Sequence, residues 1–242
     1  MSRIPPGTAD MAPSIALKYD SSSGNGVAGV GWSISGLSQI TRCSRDLAYD
    51  GVKSAIELSA QDRFCLDGQR LVVINGGVYG APNSEYRTEV DSYAKIVAIG
   101  ALGGGPESFI VIRRDGVQFK YGNTADSKLI LPGHAVPVSW AVSQASDLRG
   151  NYYTVTYTAL SATGEQLPSR IDYTGNALQP MPSATYNSLH FVYDQGGGSR
   201  PDTELTYIVG AKVINSSRLS KLQTYTGASP CAWNGFQPRM SK

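Results

Sequence analysis

The sequence predicts an all-β fold: a curved, mainly antiparallel sheet of short strands and hairpins with long glycine-rich loops. Three observations predict it. The 242 residues include 27 Gly and 14 Tyr but only 17% charged side chains, and long Ala/Leu/Glu/Lys stretches at helical spacing are missing. Short segments alternate apolar and polar residues with a period of two. Between them recur Gly24-Asn25-Gly26, Asn75-Gly76, Gly122-Asn123, Gly150-Asn151 and Gly175-Asn176, residues that tolerate the positive φ of tight turns.

Residues 13–42 read as a strand, a glycine-rich turn and a second strand. Ile15, Leu17 and Tyr19 alternate with Ala16 and Lys18, and Trp32 and Ile34 alternate with serines up to a break near Gly36. Residues 24–29 spell G-N-G-V-A-G, the G-x-G-x-x-G spacing of a dinucleotide loop. That loop requires a helix N-terminus opening on the glycines. Here the segment after Gly29 continues as a strand, and Gly29, Gly31 and Gly36 would each cost a helix about 1 kcal/mol. Gly24, Gly26 and Gly29 are therefore turn residues, and no cofactor is expected.

Further along, residues 64–74 and 108–121 each hold a hairpin, turning at Asp67-Gly68 and Asp115-Gly116. Residues 151–158 and 189–194 alternate as strands, and loops are expected at 103–106, 179–183 and 196–198. Trp140 reads as a buried aromatic anchor and Asp147 as the side chain ordering the turn before Gly150-Asn151. An apolar-x-Tyr unit followed by Gly-Asn recurs around Tyr19, Tyr121 and Tyr173 with variable spacing, which suggests repeated hairpins in one sheet. No break in composition precedes residue 227. One domain over 1–227 and an irregular tail over 228–242 are expected.

Composition excludes several function classes. A formal charge of +2 with Arg113-Arg114 as the only adjacent basic pair offers no basic stripe for nucleic acid. No apolar run reaches the roughly 20 residues of a membrane span. The N-terminus lacks the apolar core of a secretory signal, so an exported chain would leave the cytoplasm by another route. Cys43, Cys65 and Cys231 are odd in number and form no C-x-x-C, which argues against a disulfide framework or zinc. They are read as buried free thiols, with a Cys43–Cys65 pair as the alternative. His134 sits on a loop; His190 lies on a strand with Asp194 about 13 Å further along. Glu89 and Asp91 read as a solvated strand face, and Arg200 and Asp202 as partners of turn amides. No catalytic or metal-ligating residue is assigned.

The run PSIALKYDSSSGNG…GVGWSISGLSQITR, through Tyr19, Gly31, Trp32 and Arg42, resembles the opening signature of the SpvB-type N-terminal region. That region occurs in the plasmid virulence protein SpvB, in B components of insecticidal toxin complexes and in Rhs/YD-repeat toxins. The likeness continues through DRFCLDGQRL with Asp67 and Gly68, YRTE, Trp140…Asp147-Leu-Arg-Gly150-Asn151, and IDYTGN with Tyr173, Gly175 and Asn176. It covers roughly residues 4–227.

The resemblance implies a non-catalytic scaffold, the first part of a β-shell that encloses a toxic C-terminal domain, with other shell segments as partners and self-association through uncovered edges. The alternative is a surface module recognising carbohydrate or a host protein through exposed tyrosines. Tyr19, Tyr121 and Tyr173 discriminate: packed rings favour the scaffold, solvent-facing rings the binder. The actin ADP-ribosylation of SpvB belongs to a separate domain, and neither Glu-x-Glu nor Ser-Thr-Ser occurs here. Family members run to many hundreds of residues, so a truncated product or one piece of a split toxin is expected.

Overall fold

A computed structural model describes residues 4–75, 77–178, 183–194, 200 and 202–227. The expected tail over 228–242, the loop at 196–198, Gly76 and most of the loop at 179–183 lie outside the described residues.

The signature segment folds as small hairpins. Strand β1 (Ala16–Tyr19) is followed by β2 (Asn25–Gly26) and β3 (Gly29–Val30), which pair with each other, and by β4 (Trp32–Ser35), which returns antiparallel to β1. Beyond Gly36 comes β5 (Gln39–Cys43), and then a single helical turn, α1 (Leu47–Asp50), capped by the Asp46 carboxylate. An antiparallel meander follows: β6 (Arg63–Leu66), β7 (Gln69–Val73), β8 (Glu85–Thr88), β9 (Lys95–Ile99), β10 (Ser108–Ile112) and β11 (Gln118–Tyr121). Asp67 and Gly68 both lie at positive φ, 48° and 83°, the turn geometry that matches strand twist between β6 and β7.

A 3-10 turn (Ala125–Ser127) leads into β12 (Lys128–Ile130) and then β13 (Pro137–Ser146), on which the architecture depends. On one edge β13 pairs with β12 and β11; on the other it pairs with β5 and with β14 (Asn151–Leu160). Because β5 and β11 are the two ends of the meander, β13 closes β5 to β11 into a barrel. From β14 the sheet continues outward through β15 (Glu165–Asn176) and β16 (Asn187–Asp194). A separate hairpin, β17 (Glu204–Ile208) with β18 (Ala211–Asn215), precedes β19 (Arg218–Thr226), which pairs along β16. The fold is all-β and antiparallel, with the curvature carried to closure.

Alternation places one face of every barrel strand inside. Registers set Ile40 opposite Trp140, Phe109 opposite Ala98 and Tyr121, and Tyr86 opposite Ile96. Phe64, Phe109 and Trp140 meet edge to face with centroids 5.1–5.5 Å apart, a preferred aromatic geometry. Trp140 also donates from Nε1 to the Glu107 carbonyl at 3.1 Å. The interior is thus filled by side chains.

Arg42 shares that interior. Its guanidinium is fully buried against the Asp62 carboxylate at 3.0 Å, donates to the carbonyls of Pro137 and Ser59, and lies 5.7 Å from the Phe64 and Trp140 ring centres. Burial draws the guanidinium below its ordinary pKa, with the hydrogen bond and charge of Asp62 opposing the shift.

The structure corrects two readings of the sequence. Cys43 and Cys65 are joined in a disulfide with Cα atoms 6.0 Å apart, not held as free thiols. Cys43 lies opposite Arg63, so Cys65 is its diagonal neighbour on the adjacent strand, a separation that spacing along the chain does not reveal. Gly175-Asn176 is not a turn but the end of β15, opposite Tyr152 and Asn151. A Cβ on Gly175 would stand 2.4 Å from Tyr152 Cζ, so the glycine serves close approach of a ring rather than chain reversal.

Candidate functional site

The signature turn is held by an arginine from the far end of the chain. Arg200, with a side chain almost fully buried, donates from Nη2 to the Gly26 carbonyl at 2.8 Å and to the Asn25 side-chain oxygen. Its Nη1 donates to Asn215 Oδ1 at 3.1 Å and the Ser217 carbonyl at 2.9 Å, while Nε meets Asp202 at 3.0 Å. Asn25 in turn donates to the Asp202 carbonyl at 2.5 Å, and Asn215 donates to the Asn25 carbonyl at 2.7 Å. Gly24 accepts from the Gly31 amide, and Gly26 faces Gly29 across the β2–β3 pair. The groups of this turn are engaged by protein, and strand rather than helix follows the glycines.

Beside it, the β1–β4 hairpin overhangs the core. Ile15, Leu17 and Tyr19 share a face with Trp32 and Ile34. Ile15 and Ile34 pack on the main core, but Leu17, Trp32 and Tyr19 are 45%, 42% and 61% exposed, the last two with ring centres 5.2 Å apart. Lys18, Ser33 and Ser35 lie on the opposite face.

A third group knots the barrel to the outer sheet. Asp147 accepts from the amides of Arg149 and Asn151 and from Asn151 Nδ2, all within 2.7–2.8 Å. Burial pushes this carboxyl up, but the hydrogen bonds from Asn151 and Arg149 outweigh it and hold the pKa below the usual value. Gly150 closes the turn on the Asp147 carbonyl, and Asn176 Nδ2 bonds Asn151 Oδ1 and the Arg149 carbonyl. Tyr173 is buried and donates to the Pro5 carbonyl at 3.1 Å, pinning the N-terminal strap. Asp67 accepts from Ser38 Oγ and the Gln39 amide, and Tyr121, also buried, donates to the same Ser38 hydroxyl.

The histidines form no catalytic constellation with these residues. His190 Nε2 lies 3.1 Å from Ser188 Oγ, and its ring packs 4.7 Å from that of Tyr225. The neighbouring carboxylate, Asp172, is held at 2.6 Å by Arg170. Burial first, and the Arg170 charge second, push the imidazole below its ordinary pKa. Ser188 is buried two residues along the same strand. Among the described residues, no group of three His, Cys, Asp or Glu side chains could hold a metal.

One hub was invisible in the sequence. Glu165 is buried and accepts from the amides and hydroxyls of Ser216 and Ser217, fixing the turn between β18 and β19. Nothing in its local sequence signals that contact.

The family comparison matches residues 2–187 to the model of SpvB, the Salmonella virulence plasmid 65 kDa B protein. That is well over half of the chain. The chain belongs to the SpvB family. The SpvB-family segment includes β1 to β5 and the Asp147 knot but ends before Arg200, so the clasp ties the matched region to residues beyond it. The SpvB fold extends further than that match. The N-terminal domain of effector protein SpvB from Salmonella typhimurium strain LT2 is similar at 18% identity and TM-score 0.69, over 93% of this chain and 87% of that one. The TcdB2–TccC3 crystal structure gives 18% and 0.73 over 93% of this chain, and the Photorhabdus luminescens Tc holotoxin pore 17% and 0.70 over 91%. The chain spans 13% and 12% of those two Tc chains. No curated protein matches.

Proposed function

We propose that the chain is a non-catalytic structural segment of a secreted bacterial toxin, one piece of a β-shell whose partners are other shell segments or subunits. The observation that carries this reading is the barrel interior. Phe64, Phe109, Tyr86, Tyr121 and Trp140 fill it, so the barrel interior is occupied by the protein's own side chains. Tyr121 is packed in that interior and Tyr173 is buried where it meets Pro5, as a scaffold requires. Residues 1–227 are taken as one domain and 228–242 as a tail, and the chain acts outside the producing cell without a cofactor. The test is co-expression with a candidate toxin-complex shell polypeptide encoded in the same genome. A stable co-purifying complex, with no NAD or ester hydrolysis by either sample, is the expected result. A chain that stays separate, or that hydrolyses either substrate, overturns the reading.

A second reading rests on Tyr19 and Trp32. Their exposed face suits a surface-binding role, and its composition favours a protein over a carbohydrate. A sugar needs hydrogen-bonding groups beside the aromatic rings, whereas the hydroxyls of Ser33 and Ser35 lie on the other face. Replacing both rings by serine separates the readings: binding lost with the shell complex intact supports this second one.

A further inference from the structure

We propose that the cleft holding Arg113 and Arg114 at one end of the barrel binds a tetrahedral oxyanion, a phosphate or sulfate ester. The cleft has a volume of about 390 Å³ and is lined by Ser92, Arg113, Arg114 and Asp115, where the β8–β9 and β10–β11 connections meet. The pair is the only adjacent basic dipeptide in the sequence, and the scaffold reading gives it no task.

Its guanidinium groups lack the close carboxylate that most of the described arginines have. Arg42, Arg63, Arg70, Arg170 and Arg218 each meet a carboxylate within hydrogen-bonding distance. Arg113 and Arg114 keep the ring contact, which Arg42, Arg63 and Arg70 also make, without the close carboxylate. Arg113 Cζ lies 5.6 Å from the Phe119 ring centre and Arg114 Cζ 5.8 Å from that of Tyr93. A ring face orients the cation while leaving its N–H edges free to donate. Arg113 approaches Asp115 only at 4.0 Å, and the other oxygen of that carboxylate accepts the Val117 amide at 3.0 Å. No ion pair or hydrogen bond engages the Arg114 side chain among the described residues.

The backbone beneath is also set for presentation. Tyr93 sits at φ 56°, an uncommon conformation for a bulky residue, fixed by its amide donating to Asp91 Oδ1 at 2.8 Å. Such outliers persist where surrounding structure over-determines them. The Asp147–Gly150 turn abuts the cleft, since a Cβ on Gly116 would stand 2.7 Å from Leu148 Cδ1. That contact brings Arg149 to the same end of the barrel, while the Asp147 oxygens are already taken by amide donors. Two forked cations with free donors and one weakly associated carboxylate match an oxyanion with several acceptor oxygens. They do not match nucleic acid, which needs a continuous basic track.

The experiment follows the arginine Nε–H resonances of the full chain by NMR while inorganic phosphate, and separately inorganic sulfate, is added at low ionic strength. The expected result is a saturable shift at Arg113 and Arg114, weakened about tenfold by R113Q or R114Q and strengthened by D115N, with thermal melting unchanged in all three variants. A preference for one ion identifies a phosphorylated or a sulfated ligand. Shifts that fail to saturate, appear equally at Arg218, or survive R113Q and R114Q overturn the proposal.

Discussion

Arg200 Nη2 donates to the carbonyl oxygen of Gly26 at 2.8 Å across 174 residues of sequence. The glycine-rich turn therefore owes its shape to a side chain that no local motif contains. The same guanidinium engages Asn25, Asn215 and Ser217, so its removal strands one buried and several half-buried acceptors at once. R200A is expected to cost on the order of 3 kcal/mol. In a double-mutant cycle with N25A the losses should be strongly non-additive. Urea denaturation of the four proteins measures the coupling, and simple additivity would dismiss the clasp.

The Cys43–Cys65 bond spans 22 residues of sequence, including α1 and its connections. A loop of that length corresponds to about 3 kcal/mol of unfolded-state constraint. The C43S/C65S variant should lose roughly that much stability while keeping the same far-UV circular dichroism. Thiol titration of the native chain in denaturant, before and after reduction, provides an independent count of the paired cysteines.

Gly175 tests whether close approach to a ring explains the glycine of segment 173–176. G175A would drive a methyl group into the Tyr152 ring, and overpacking of this kind costs about 1–3 kcal/mol. Y152A removes the obstacle, so the double variant G175A/Y152A should be more stable than the sum of the single losses predicts. An unchanged melting temperature for G175A would show that the ring gives way freely.

His190 makes stability depend on mild acid. Its folded pKa is lowered by burial and by Arg170, with Asp172 opposing; Ser188, Lys221, Gln223 and Tyr225 share that face. Above its ordinary value of 6.5 the ring is neutral in both states and the stability is intact. As pH falls below 6.5, the unfolded chain takes up a proton that the native state resists, so stability declines until the folded pKa is passed. H190Q should abolish this slope. A slope that persists in H190Q would assign it to other groups.

The sequence made local structure legible and left closure hidden. Asp67-Gly68 and Asp115-Gly116 announce their turns because positive φ restricts residue choice, and alternation identifies Phe109 and Val111 as one buried face. A period of two says which side chains face inward but not which strand lies alongside. Nothing in residues 137–146 tells that they pair with β5, β11, β12 and β14. The buried ion pair of Arg42 and Asp62 was equally silent, since each residue alone resembles a surface charge. Arg200 was visible as a candidate turn partner beside Asp202, but its acceptors on Asn25 and Gly26 lie too far away in sequence to be read. The disulfide depended on a diagonal register that cysteine counting cannot supply.

The fourfold use of β13 gives the molecule an order of events in time. Ile40 waits for Trp140, and Tyr121 for Val142, so seven meander strands are synthesised before the strand that joins their ends. Until Trp140 has emerged, Phe64 and Phe109 lack their indole neighbour, and until β13 is complete the first and last strands keep open edges. Such late, long-range pairing makes for slow folding. The interval of greatest danger for this protein therefore falls during its own synthesis, and ends when one strand arrives.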